Sequence, residues 1–243
     1  MIRAVVFDFG QTLVDSADGF RAAEKEAQEK AYGALGLTDR EAFLAVYRDV
    51  RGALHARSRF SRKEILEALF RHYDREADPA LLEEWETQYW QRVQSLTRVF
   101  PEALTVLEVL RMKGYRLALI TNAQGQKKAG MHRIGHYPEL ERCFEVVVVA
   151  GEGGITAKPD PMPFCLCLAK LGVAAAESIY VGDDWRIDVC GSEAVGMHPV
   201  WLRHRSVRRN WPEVDASHVA VIDSLEGLRD IDTLWGERER EER

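Results

Sequence analysis

The sequence predicts an α/β fold: a doubly wound parallel sheet interrupted by an inserted helical bundle. Three observations predict it. Ala4-Val-Val-Phe7 is a short, nearly continuous apolar run, the signature of a strand buried on both faces. Runs of the same kind recur after Phe100, separated by stretches with helical spacing. Between Asp18 and Arg98 the chain becomes charged and helical, with almost no strand signal.

Taken in order, the first strand delivers Asp8 to its tip and then breaks into turn-forming residues. The first helix carries Phe20, Ala23, Ala27, Ala31 and Leu35 on one face, with Gly33 and Gly36 where it should end. A second helix runs from Asp39 through His55, with Phe43, Val46, Val50 and Leu54 on its apolar side. Ser61 with Glu64 reads as a capping box for a third helix bearing Ile65, Leu69 and Tyr73. Asp78-Pro79 opens a fourth through Trp85, Tyr89, Trp90 and Val93. Four consecutive helices between two strands make a bundle, in which Phe70, Trp85, Tyr89 and Trp90 belong to the interior. Phe100-Pro101 marks the return to alternation. A helix through Leu104, Leu107 and Leu110 stops at Gly114, and a strand over 115–120 stops at Thr121-Asn122. Strands then follow at 144–149, 178–181, 198–202 and 219–222, with a helix from Phe164 to Leu171. The expected domains are therefore an α/β core, residues 1–16 and 99–243, and a helical insertion, residues 17–98, with Glu237 to Arg243 a charged tail.

Length and composition bound the function. A chain of 243 residues with 46% hydrophobic and 30% charged residues buries a real core. A net charge of -6 gives no electrostatic reason for nucleic-acid binding. No stretch approaches the ~20 apolar residues needed to span a bilayer, and Met1 leads directly into a strand without a signal-peptide pattern. Cys143, Cys165, Cys167 and Cys190 include no Cys-x-x-Cys pair. A cytoplasmic protein, monomer or homodimer, is the expectation. His55, His72, His132 and His136 have no spacing that compels a metal site, and Asp8-Phe9-Gly10 lacks the rest of a protein-kinase signature.

The chemistry collects at the strand tips. Asp8 follows the first strand, Thr121 and Asn122 the second, and Asp183, Asp184 and Asp188 the fourth, while Lys158 stands alone in Ala157-Lys-Pro-Asp-Pro161. On its own stretch, Asp8 reads equally as a catalyst or as a turn cap. Converging carboxylates repel each other unless a cation neutralises them, and oxygen ligands suit magnesium. A lysine and a hydroxyl beside them suit the oxygens of a phosphoryl group.

On these motifs the sequence resembles the haloacid dehalogenase superfamily, and within it the phosphatase-like members with a helical cap inserted after the first motif. Val5-Val-Phe-Asp8 to Thr12-Leu13, Leu119-Ile-Thr-Asn122, Lys158 with its prolines, and Gly182-Asp-Asp-Trp-Arg-Ile-Asp188 resemble the four family motifs in order. The resemblance implies a Rossmann-like core and a magnesium-dependent hydrolase of small phosphorylated, anionic metabolites. It implies Asp8 as nucleophile, Thr121 as a phosphoryl hydrogen-bond donor and Lys158 as the charge-offsetting cation. It also implies magnesium held by Asp8, the Gly10 carbonyl and Asp183, with Asp188 supporting the metal or its water. Asp184 stands where relatives often have serine, and either binds metal through water or caps the next helix. Trp185, between these aspartates, either packs or touches substrate.

The departure lies at Gly10, where phosphatases of this family usually carry a second aspartate for acid-base catalysis. Losing such help is commonly worth ~10²–10⁴-fold, so turnover should be weakened. Two alternatives follow from the resemblance: a 2-haloacid dehalogenase, whose members also lack that aspartate but lack Asp183 as well, and a ligand-binding descendant without turnover. In the cap, Arg51, His55, Arg57, Arg59, Arg62 and Lys63 form a basic cluster. Together with Asn122, the residues Arg51, His55 and Arg57 are the candidate substrate contacts, against the plainer reading of a solvated helix end. The second basic stretch, Arg203 to Arg209, reads as a surface loop.

Overall fold

The structure of the protein, a computed structural model, describes residues 1–123, 133–207 and 210–231. The expectations for His132, for Arg208 and Arg209 and for the tail Glu237 to Arg243 lie outside the described residues. Two compact units emerge. One comprises Met1–Asp15, Arg98–Asn122 and Ile134–Arg243; the other comprises Ser16–Thr97 and Ala123–Arg133.

The first unit is built on strands β1 (Ala4–Phe7), β4 (Arg116–Asn122), β5 (Val146–Ala150), β6 (Ser178–Gly182), β7 (His198–Leu202) and β8 (Ala220–Ile222), in the order β5-β4-β1-β6-β7-β8. Every pairing is parallel. Alternate side chains of β1 serve opposite faces, as strand geometry requires. Val5 and Phe7 pack with Val106, Leu107 and Leu110 of helix α5 (Ala103–Met112), and Ala4 and Val6 pack with Phe164, Cys167 and Leu168 of helix α7 (Pro161–Leu171). Because β1 is covered on both faces and paired on both edges, Asp8 is fixed by a rigid central strand. Two short helices, α6 (Pro138–Glu141) and α8 (Cys190–Glu193), complete this unit's α-helices among the described residues.

The second unit holds α1 (Ala17–Leu35), α2 (Arg40–His55), α3 (Arg62–His72) and α4 (Pro79–Leu96). Gly36, at φ 62°, ends α1 in the left-handed conformation that favours glycine, so the stop is Gly36 and Gly33 stays within the helix. Phe70 and Trp85 join the larger apolar cluster, while Tyr89 and Trp90 join a smaller one with Ala23, Ala27 and Val93. The expected capping box at Ser61 is only half present as predicted. Ser61 Oγ does accept from the Glu64 N–H (3.3 Å), but Glu64 pairs with Arg59. The carboxylate that serves the helix start is Glu86 of α4, which accepts from Ser61 Oγ and from the N–H groups of Arg62 and Lys63. A cap drawn from another helix has no local sequence signal. Arg133 donates to Ser16 Oγ and to Thr97 Oγ1 (3.2 Å), the first and last residues of the Ser16–Thr97 segment.

One further element escapes sequence periodicity because it is too short to show any. Strands β2 (Val14–Asp15) and β3 (Arg98–Val99) form an antiparallel ribbon, with Val14 opposite Val99 and Asp15 opposite Arg98. Among the described residues, no helix is long and apolar enough to cross a membrane.

Candidate active site

Asp8 is the first residue past β1, and its N–H donates to Val181 O in β6 (2.9 Å). The chain then turns sharply. Leu13 and Val14 N–H groups donate to Phe9 O, Gln11 N–H donates to Val14 O, and Gly10 bridges to Val14. Gln11 itself adopts φ 63°. The turn thus lifts the chain off the sheet immediately beyond the Asp8 carboxylate.

Lys158 is the centre of the site and is 1% exposed. Its Nζ donates to Asp8 Oδ1 (2.8 Å), Asp188 Oδ1 (2.7 Å) and Ile120 O (3.0 Å), and lies 2.7 Å from the Tyr180 hydroxyl. Burial works against the charged ammonium, but the Asp188 and Asp8 carboxylates outweigh it and hold its pKa above the ordinary lysine value. Burial likewise pushes the Asp188 carboxyl up, to about 7, and the Lys158 ammonium opposes that rise. The backbone of Lys158 is clamped by Asn122, whose Oδ1 accepts from Lys158 N–H (2.8 Å) and whose Nδ2 donates to Lys158 O (3.2 Å). Asn122, a candidate substrate contact from the sequence, therefore spends its amide on positioning the lysine. Thr121 precedes it as a buried residue near the end of β4, opposite Val149.

Asp183 and Asp188 arrive by a different route. Gly182 ends β6, and the chain winds into a π-helical turn over Trp185–Val189, a form often found at functional sites. A Cβ on Gly182 would overlap Cβ and Cγ of Asp188, so glycine there is what admits the aspartate. Asp184 Oδ1 accepts from Ile187 N–H (2.9 Å), and Asp184 N–H donates to Asp188 Oδ2 (3.0 Å). Asp184 thus caps the turn through its Oδ1. Trp185 packs against Trp201 (4.9 Å between ring centres), and the Trp201 indole N–H donates to Asp183 O (3.0 Å).

Asp8, Asp183 and Asp188 place carboxylate oxygens within 4.8 Å of one another. Three carboxyl groups gathered on one ammonium make a donor set of hard oxygens that fits a divalent cation such as magnesium.

The remaining predicted residues belong to the helical unit. Arg51 pairs with Glu24 (3.3 Å), Arg57 is exposed, and His55 Nε2 faces Arg62 Nη1 (3.2 Å). Arg62 is not a surface charge. It is 5% exposed, pairs with Glu24 (3.4 Å) and stacks 4.6 Å over the Tyr89 ring, and Tyr89 donates to the same Glu24 (3.1 Å). Its place in the basic cluster is structural. Arg203, of the second basic stretch, sits over the Trp201 and Trp211 rings.

Sequence reading missed Tyr180, which looks like one more apolar residue of a buried strand. The usable signal was chemical: a tyrosine on a strand covered on both faces needs a partner for its hydroxyl. Tyr180→Phe should lower kcat about tenfold with KM within about twofold, since a hydrogen bond to a charged group is worth ~1.5–3 kcal/mol. Steady-state kinetics beside a thermal melt would check this, and an unchanged kcat would contradict it.

Comparison with known proteins accords with this geometry. A family model described as haloacid dehalogenase-like hydrolase matches residues 2–196. The chain is 27% identical over 246 residues to a glyceraldehyde 3-phosphate phosphatase of Methanothermobacter thermautotrophicus, covering 95% of this chain and 100% of that one. It is 30% identical over 251 residues to a ribulose-1,5-bisphosphate 5-phosphatase of Halopiger xanaduensis, covering 95% and 99%. Among solved structures, it is similar to a phosphatase of Thermococcus onnurineus, with TM-score 0.64, 26% identity, and 95% and 97% of the two chains covered. A 2-haloacid dehalogenase of Pseudomonas syringae also matches, with TM-score 0.64 over 97% and 100%, but at 24% identity that likeness is one of fold.

Proposed function

Since this chain belongs to the haloacid dehalogenase-like hydrolases, we propose that it hydrolyses small phosphate monoesters with Asp8 as the nucleophile. The observation that carries the reading is Lys158, buried between Asp8 and Asp188 beside the Asp183 carboxylate. Lys158 holds Oδ1 of Asp8 and so fixes where Oδ2 points. As Asp8 bonds to phosphorus, the P–O bond to the departing group breaks and its electron pair leaves with that group's oxygen. Water then attacks the aspartyl-phosphate, restoring the carboxylate and releasing inorganic phosphate. Thr121, at the tip of β4, donates to the phosphoryl group, and Lys158 offsets charge on nucleophile and substrate. Magnesium, bound by Asp8, Asp183, Asp188 and the Gly10 carbonyl, would neutralise these carboxylates and polarise the phosphoryl oxygens. Within the helical unit, Arg51, His55 and Arg57 are the residues proposed to recognise an anionic group of the substrate. The free cysteines suit a cytoplasmic setting.

The test is phosphate release from a panel of phosphorylated metabolites with and without magnesium. Binding without turnover across the panel would leave a non-catalytic relative of these hydrolases. Asp183 separates the proposal from the dehalogenase reading, which instead predicts halide release from a 2-haloacid without added metal.

Metal binding has its own readout. Because Trp201 donates to the Asp183 carbonyl and touches Trp185, magnesium should produce a saturable change in tryptophan emission. The change should vanish in Asp183→Asn. A titration that is flat for the unaltered protein would argue against the metal site.

A further inference from the structure

The proton needed when the P–O bond breaks has no evident source in the described site. Lys158 Nζ has three N–H bonds and four oxygen neighbours within 3.0 Å, so its protons are committed. Asp188, 2% exposed, accepts at both oxygens, from Lys158 at Oδ1 and from Asp184 N–H at Oδ2. Asp184 is occupied as a helix cap, and Tyr180 is 1% exposed beneath Lys158. Beyond Asp8 the turn offers Phe9, Gly10, the amide of Gln11 and Thr12, which is 0% exposed; none carries an acidic proton. Among these groups, none offers an acidic proton that is not already held in a hydrogen bond.

Resting on the proposed phosphatase reading, we infer that the enzyme's substrates carry the phosphoryl group on a weakly basic oxygen: an acyl, enol or aryl oxygen rather than that of a simple alcohol. Such an oxygen departs as a stable carboxylate, enolate or phenolate, taking the electron pair of the broken P–O bond and requiring no protonation as Asp8 bonds to phosphorus. A departing alkoxide requires the proton, and general acid help of that kind is worth ~10²–10⁴-fold. Water, the co-reactant, then cleaves the aspartyl-phosphate as before.

The experiment compares kcat/KM for p-nitrophenyl phosphate, phenyl phosphate, benzyl phosphate and acetyl phosphate in saturating magnesium. The expected result is a fall of at least about 10²-fold from p-nitrophenyl to benzyl phosphate in the unaltered protein. Gly10→Asp should shrink that ratio by raising the benzyl value, whereas Gly10→Asn, similar in size but without the proton, should keep it. Gly10 lies outside the left-handed backbone region, so both side chains are compatible with its conformation. A benzyl value within tenfold of the p-nitrophenyl value in the unaltered protein shows that an acid is present, and overturns the inference while leaving the phosphatase reading intact. No phosphate from any of the four compounds overturns both.

Discussion

Asp8→Asn is expected to reduce phosphate release at least about 10⁴-fold, to the background of the assay, while leaving the fold intact. Removing a nucleophile that acts in concert with its partners costs on this order or more. Asparagine keeps the size of the side chain and an oxygen able to accept from Lys158, so the 2.8 Å contact survives as a neutral acceptor. What is lost is the anionic oxygen that the proposed mechanism bonds to phosphorus. A phosphate assay beside a thermal melt separates the two effects: a folded variant retaining more than about a hundredth of the activity would rule out Asp8 as the nucleophile.

Lys158→Met should be the most destabilising single change in the sheet unit. Methionine matches the stem of the lysine but removes the charge that lies 2.7–2.8 Å from Asp188 and Asp8. Removing one partner of a buried ion pair strands the others and typically costs ~3–5 kcal/mol. Urea unfolding without metal should show this loss. Magnesium should return part of it, because a ligand at 100 times its Kd adds ~2.7 kcal/mol to the folded state. A loss below about 1 kcal/mol, or one untouched by magnesium, would mean that the carboxylates are not held as described. Activity should fall with it, since Asp8 loses the Lys158 contact that orients its carboxylate.

The fold and the placing of Asp8 at a strand tip were legible in the sequence because each rests on local pattern. A buried strand announces itself as Ala4-Val-Val-Phe7, and an aspartate directly after it can only sit at the strand tip. Lys158, isolated between prolines, stands out on the same local grounds. What stayed hidden depends on residues far apart in the chain. Tyr180 meets Lys158 across 22 positions, and Asn122 clamps the same lysine across 36. Arg62 looks like one more basic residue of a helix start until its burial against Glu24 and Tyr89 is seen. Glu86 caps a helix it does not belong to. The π-helical turn that brings Asp188 inward leaves no periodicity in five residues. Its one trace is Gly182, whose missing side chain is the space that Asp188 fills.

The β2–β3 ribbon has a consequence for how this chain can diverge. The segment Ser16–Thr97 leaves from Asp15 and returns at Arg98, residues paired across adjacent strands. Its two ends are therefore held about one strand spacing apart, ~4.8 Å, whatever is threaded between them. To the sheet, a four-helix excursion and a tight hairpin turn are the same boundary condition. Lengthening such a loop is also cheap, with each doubling costing only ~0.6 kcal/mol in closure entropy. The insertion can be rewritten, enlarged or exchanged as a module while Asp8, seven residues upstream of Asp15, keeps its own strand and hydrogen bonds.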